Sequence, residues 1–170
     1  ILGTNGCGKS TLLQIIAGAS SQSEGGIKYS SADTESPFRD LVIAAPYLEL
    51  PEEMTWKEAV RFHGNFKKFI NGFTEEKVIE LSGLGASSEK EIRNFSSGMK
   101  QRLKLALALC SQSSLVLLDE PTTNLDRQGV DWYLDLVEKF LGGRTCVVAS
   151  NVEVDYGFCG ERVGILDYKR

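Results

Sequence analysis

The chain has 170 residues, 42% of them hydrophobic and 25% charged, with a formal net charge of -4. These values fit one globular domain with a substantial core and room for an inserted subdomain. They exclude a nucleic-acid surface built on a basic field, so no nucleic-acid partner is expected, and no apolar run approaches the ~20 residues that cross a bilayer.

The chain opens on Ile1 and Leu2, which read as the end of an apolar strand, so the N-terminus reads as cut and N-terminal strands are expected to be missing. Gly3, Gly8, Lys9 and Ser10 then satisfy G-x-x-x-x-G-K-[ST], the phosphate-loop (Walker A) pattern. Gly3, Gly6 and Gly8 let the backbone curl around a phosphate without Cβ atoms in the way. Successive N–H groups there make an anion-binding nest, and the helix predicted from about Lys9 adds its positive end. Asn5, Gly6, Cys7, Gly8, Lys9, Ser10 and Thr11 are therefore the candidate nucleotide contacts. Lys9 reaches the β- and γ-phosphates, which makes it a catalytic candidate too, and the Ser10 hydroxyl is a candidate Mg²⁺ ligand. A chance match in a glycine-rich turn is the competing reading. The order strand, loop, helix argues against it.

Cys7, Cys110, Cys146 and Cys159 lack C-x-x-C spacing, and the single histidine, His63, has no ligand cluster around it. Free thiols in a reducing cytosol are the economical reading. Cys7 reads as a small residue filling a tight turn. The sharper alternative is a thiol acidified by the loop amides and Lys9.

Residues 10–17 are apolar on most sides and predict a helix buried against a sheet, stopped by Gly18. Residues 20–26 are loop, 26–29 a short edge strand and 30–37 a further loop. Residues 41–45 predict a buried strand closed by Pro46. Beyond Pro51 the pattern turns helical. Thr55 and Glu58 form a capping box, and Ala59, Val60, Phe62, Phe66 and Phe69 carry an apolar face. Thr74 heads a second helix with Glu75 and Glu76 in its first turn; Val78, Ile79 and Leu81 supply its apolar side, and Gly83 or Gly85 ends it. The aromatic stripe reads as packing, part of it open to a partner protein, and His63 as a surface or half-buried side chain and not a catalyst.

Ser96, Ser97 and Gly98 head a strong helix of Leu and Ala. Free N–H groups, hydroxyls and a glycine make that point either a second anion site or an ordinary helix cap. Residues 115–118 are apolar and end in Asp119 and Glu120, the Walker B arrangement. Asp119 is a candidate Mg²⁺ ligand, directly or through water, and Glu120 the candidate that orients or deprotonates the attacking water. Asp126 is a candidate cap for a helix whose apolar face is Val130, Tyr133, Leu134, Leu136, Val137 and Phe140, ended by Gly142 and Gly143. Residues 145–149 predict a buried strand with Ser150 and Asn151 at its end, and 162–166 a last strand. Strands alternating with helices predict an α/β fold with a mainly parallel sheet and chemistry at the strand C-termini.

In combination, and over nearly the whole chain, these segments resemble the nucleotide-binding subunit of ABC transporters. Phe95, Ser96, Ser97, Gly98 and Met99 stand where that family carries its Leu-Ser-Gly-Gly-Gln signature, residues 119–122 match its Walker B extension, and residues 123–126 look like its D-loop. The resemblance implies a RecA-like P-loop NTPase with its core at 1–45 and 112–170 and a helical subdomain, bearing the signature, at 46–111. It implies ATP and Mg²⁺ as cofactors and a head-to-tail homodimer on ATP binding. In that dimer Ser96 and the backbone of Gly98 act in trans on the γ-phosphate, and Asp126 of the D-loop belongs to the nucleotide site. It also implies a transmembrane transporter subunit as partner and a cytoplasmic location, peripheral on the inner face of the cell membrane.

Three departures stand out. Pro46 and Tyr47 occupy the place of the family's glutamine. Asn151 occupies the place of its histidine, and as a catalytic candidate it donates a hydrogen bond but carries no proton. Ser97 and Met99 replace a glycine and the glutamine of the signature. These changes leave binding intact and bear on the rate of hydrolysis. The competing functions are a soluble ABC-type ATPase and a slow nucleotide switch; Glu120 argues against the switch. The cargo is not legible.

Overall fold

The computed structural model describes residues 1–30, 37–70 and 72–168; most of the loop expected at 30–37 lies outside them. The chain divides into two compact units, Ile1–Ala45 with Ser113–Pro121 and Gly143–Arg170, and Pro46–Gln112 with Thr122–Gly142.

The first unit is built on a three-stranded sheet of β1 (Leu41–Ala44), β2 (Leu115–Asp119) and β3 (Thr145–Ala149), in that spatial order. All pairs are parallel, with Leu41 beside Leu115 and Leu115 beside Thr145. The short apolar runs become strands because both faces of a parallel sheet are covered; central β2 is buried from Val116 to Asp119. Helix α1 (Lys9–Ile16) seats Leu13 against Leu41, Leu117 and Ala149. It ends in a Schellman motif: the Gly18 N–H donates to Ile15 O and the Ala19 N–H to Gln14 O. Gly18 has φ 70°, and a Cβ there would lie 1.9 Å from the Phe38 ring, so a side chain would have to displace that ring from a strained backbone.

Two expected strands of this unit are not formed. Residues 26–29 are irregular, with no described strand beside them to complete a ladder. Instead the Tyr29 hydroxyl donates to Ile16 O at 2.5 Å, tying the segment to the end of α1. Residues 162–166 form one parallel bridge, Leu2 with Gly164, and then turn into a 3₁₀ helix at Ile165–Tyr168. The ladder stops there because Leu2 is followed at once by the phosphate loop, which leaves nothing extended to pair with.

The second unit is helical: α2 (Trp56–Phe66), α3 (Glu75–Leu81), α4 (Ser97–Cys110) and α5 (Arg127–Phe140). The capping box of α2 is present, with the Glu58 N–H donating to Thr55 Oγ1 and the Thr55 N–H to Glu58 Oε2 at 2.8 Å. The core gathers Trp56, Val60, Val78, Ile92, Phe95, Leu103 and Ala106. Buried Trp56 satisfies its indole N–H on Ser82 Oγ at 3.2 Å.

The sequence pattern places residues 122–142 with the phosphate-loop core; their contacts group them with the helices. The anchors are aromatic. Trp132 Nε1 donates to Leu81 O at 2.7 Å, the Arg102 guanidinium lies 4.9 Å over the Trp132 ring, and Phe140 meets Phe73 edge-on.

The aromatic stripe of α2 divides. Ala59 and Val60 turn inward, while Phe62 and Phe66, spaced i,i+4, share an outward face and meet edge to face at 5.0 Å. His63 is half-buried and stacked on Phe69, its Nε2 2.7 Å from Ser111 Oγ. Ser111 gives its own hydrogen to Leu107 O, so the imidazole is the donor. Burial, with Lys67 adding to it, pushes the His63 pKa down to about 4.

Candidate nucleotide site

The phosphate loop runs from Leu2 into α1, whose N-cap is Gly8 at φ 102° with no side chain closing the helix end. Ser, Thr, Asn or Asp at that position would fill the free amides from within; glycine leaves them open to an anion. The Cys7 N–H donates to Thr4 O at 3.2 Å and closes the loop on itself. Inside the curl lies buried Lys9, its ammonium donating to Gly3 O at 2.8 Å and Thr4 O at 3.3 Å. Cys7 is also buried, and a Cβ on Gly3 would stand 2.5 Å from its Sγ, so the thiol fills the loop as a packing atom.

Ile165 supports the same loop: its Cγ2 lies 2.7 Å from a Cβ placed on Gly3, and its Cδ1 3.8 Å from one on Gly8. Sequence reasoning put Ile165 in a strand and missed this contact. The only signal was the apolar segment at the chain's end.

At the C-terminal end of β2, Asp119 is 2% exposed. Burial raises its pKa above the ordinary carboxylate value and Glu120 adds to that, while a hydrogen bond with the Ser10 side chain and the charge of Lys9 pull it down. Asp119 Oδ1 is buried without a partner. An orphaned carboxylate oxygen of this kind is costly and marks a place built for something else. Beside it is a serine hydroxyl, and hard oxygen donors of this type suit Mg²⁺ completed by phosphate and water. Among the described residues no group of three His, Cys, Asp or Glu stands ready to hold a metal.

Glu120 follows in a left-handed backbone, φ 42°, its N–H donating to Ala149 O at 2.9 Å. Such a conformation in a non-glycine residue costs free energy and is held by its surroundings. At the end of β3, Asn151 donates from Nδ2 to Asn5 Oδ1 at 2.9 Å. The first unit thus joins Ser10 to Asp119 and Asn151 to Asn5, and the charges of Lys9 and Glu120 both act on Asp119. A Cβ on Gly6 would meet nothing within 4 Å, and Thr11 is exposed.

The remaining candidates belong to the second unit. Ser96 is the N-cap of α4, exposed, its Oγ accepting the Met99 N–H at 3.2 Å. Gly98 packs on the turn before α5: a Cβ there would come 2.7 Å from the carbonyl oxygen of Asn124, itself at φ 66°. Asp126 caps α5, its Oδ1 accepting the Gly129 N–H at 2.7 Å.

A family model described as ABC transporter matches residues 1–123. The chain belongs to the ABC transporter family. Its relatives include the lantibiotic transport ATP-binding protein SrtF of Streptococcus pyogenes, 30% identical over 172 residues, which cover 98% of this chain and 73% of that protein. The linearmycin resistance ATP-binding protein LnrL of Bacillus subtilis is 29% identical over 175 residues, 98% of this chain and 56% of the relative. A putative ABC transporter ATP-binding protein from Pyrococcus furiosus has the same fold, with a TM-score of 0.80 at 18% identity, covering 99% of this chain and 84% of the other. This ABC chain is an ATP-binding ATPase with the P-loop α/β architecture expected from its motifs. Among the described residues no helix is long and apolar enough to cross a membrane.

Proposed function

We propose that ATP lies with its phosphates in the loop at residues 3–10, and that its hydrolysis here drives a transmembrane partner through pairing with a second copy of this chain. The observation that carries this reading is the buried, unpartnered Asp119 Oδ1 beside Ser10, at the foot of a helix start that no side chain caps. The loop amides and the Lys9 ammonium hold the β- and γ-phosphates by charge-assisted hydrogen bonds. Ser10 and Asp119 would hold Mg²⁺, which when bound supplies positive charge against the phosphate oxygens. Glu120 orients the attacking water and accepts its proton. Asn151 has no ionisable group and contributes hydrogen bonding alone.

In the pair, Ser96, the backbone of Gly98 and Asp126 of one copy face the nucleotide held by the other, head to tail. The chain works at the cytoplasmic, inner face of the cell membrane, bound to its transmembrane subunit.

Glu120→Gln tests the assignment. Loss of the general base lowers turnover by about 10²–10⁴-fold, with MgATP binding retained and a dimer accumulating on sizing columns. Unchanged turnover overturns it.

A further inference from the structure

Past β3 lies a buried pair that the proposed hydrolytic steps do not use. Asp155 is 1% exposed and Ser150 fully buried. The Ser150 hydroxyl donates to Asp155 Oδ2 at 2.5 Å, and Ser150 Oγ in turn accepts the Val152 N–H at 3.0 Å. The Asp155 N–H returns to Val152 O at 3.0 Å, on the short helix α6 (Glu153–Tyr156). A carboxylate this deep is costly unless its oxygens are bonded, and here the bonding fixes one turn, residues 150–152, from the inside. Asn151 is the middle residue of that turn. Its backbone is held on both sides while its side chain reaches Asn5 Oδ1 at 2.9 Å.

Asn5 sits at the tip of the phosphate loop, next to Thr4, whose carbonyl takes both the Cys7 N–H and the Lys9 ammonium. A tether at Asn5 therefore bears on the same turn that places Lys9.

We propose that Asp155, acting through Ser150, is a positioning residue that sets Asn151 on Asn5, so that the end of β3 holds the phosphate loop in the shape that binds ATP. Asn151 thereby works as a tether, and its inability to carry a proton is no loss to that task. Holding the loop in its bound form removes an ordering cost that binding would otherwise meet, so the effect falls on affinity. The inference rests on the reading of this loop as the ATP seat.

The test is MgATP titration of the full chain with two double-mutant cycles. Asn5→Ala and Asn151→Ala each weaken binding about fivefold, the worth of one hydrogen bond, and the double variant is no weaker than the worse single one. Asp155→Ala gives the same fivefold loss and adds nothing on top of Asn151→Ala. Asp155→Asn, which still accepts the Ser150 hydroxyl, returns affinity to within about twofold of wild type, well short of the single-bond loss. Should Asp155→Ala not fold, Ser150→Ala deletes the hydroxyl alone and carries the same expectation.

If Asp155→Ala or Ser150→Ala lowers the melting temperature while affinity and the coupling between positions 5 and 151 stay at wild type, the pair is purely structural and the inference falls. Additive losses at 5 and 151 also sink it, leaving the ATP seat standing. A wild-type chain that binds no MgATP removes both.

Discussion

Two helices of this chain start with the same raw material and use it differently. Both α1 and α4 begin at small residues suited to an anion, and both present free backbone N–H groups at a positive helix end. Helix α1 begins at Gly8 with no side-chain cap and has a buried lysine, Lys9, at its first position. Helix α4 begins at Ser96, which already satisfies one amide with its own hydroxyl, and carries no buried cation there. The first start is incomplete without a ligand. The second satisfies one of its amides from within and presents an exposed serine beside a glycine pressed on the Asn124 carbonyl. A helix terminus becomes a primary phosphate seat when the protein withholds its own cap and supplies a charge; otherwise it serves, at most, as the closing half of someone else's.

The sharpest way to break this contrast is Lys9→Ala. Each hydrogen bond to a charged group is worth about 1.5–3 kcal/mol, so losing the ammonium should weaken MgATP binding by roughly 100-fold. Calorimetric titration reads it directly, and affinity within tenfold of wild type would remove Lys9 from the phosphate seat.

Next in size is Asp119→Asn, which asks whether the α1 site is bought with stability. The folded pKa of Asp119 is raised above the ordinary 3.8, so the folded state binds more proton than the unfolded one just above that value. Stability contributed by the protonated form is complete below 3.8 and is lost as pH rises through the raised value. Asparagine mimics the neutral carboxyl. At neutral pH, without nucleotide or Mg²⁺, the variant should be more stable by on the order of 1 kcal/mol, because a neutral amide relieves the cost of burying a charge, while losing Mg²⁺-dependent turnover. Denaturant melts across pH check it; a variant less stable than wild type at neutral pH refutes the trade.

The first unit was legible where chemistry dictates spacing. The phosphate-loop and Walker B patterns are recognised by their spacing, and β2, which delivers Asp119 and Glu120, is a continuous apolar run. What escaped depends on neighbours far along the chain. The strand expected at 162–166 shrank to the single Leu2–Gly164 bridge because its partner is used up by the loop. Ile165 under the loop and Asn5 against Asn151 are pairings of side chains from opposite ends of the sequence, which no local period announces. In the second unit the caps at Thr55, Thr74, Ser96 and Asp126 were readable, since a cap is a local bond. The outward turn of Phe62 and Phe66 was not: apolar character marked the residues, but only the spacing around Ala59 and Val60 shows that α2 cannot bury both sets at once.

The smallest expected effect, Ser96→Ala, sharpens the comparison most. If Ser96 is first of all a cap, its removal frees the Met99 N–H and lowers the stability of the chain by about 1 kcal/mol, with or without nucleotide. If its hydroxyl is also the group that meets the phosphates held by a second copy, the same variant weakens ATP-driven pairing by more than the lost cap explains. The two contributions separate because the cap acts within one chain and is independent of concentration, whereas pairing follows mass action. Melting without nucleotide isolates the first, and sedimentation of the Glu120→Gln background with MgATP, over a range of protein concentrations, isolates the second. A pairing constant that does not move when Ser96 is truncated leaves α4 with a cap and nothing more, and the closing half of the site must then be sought on another element.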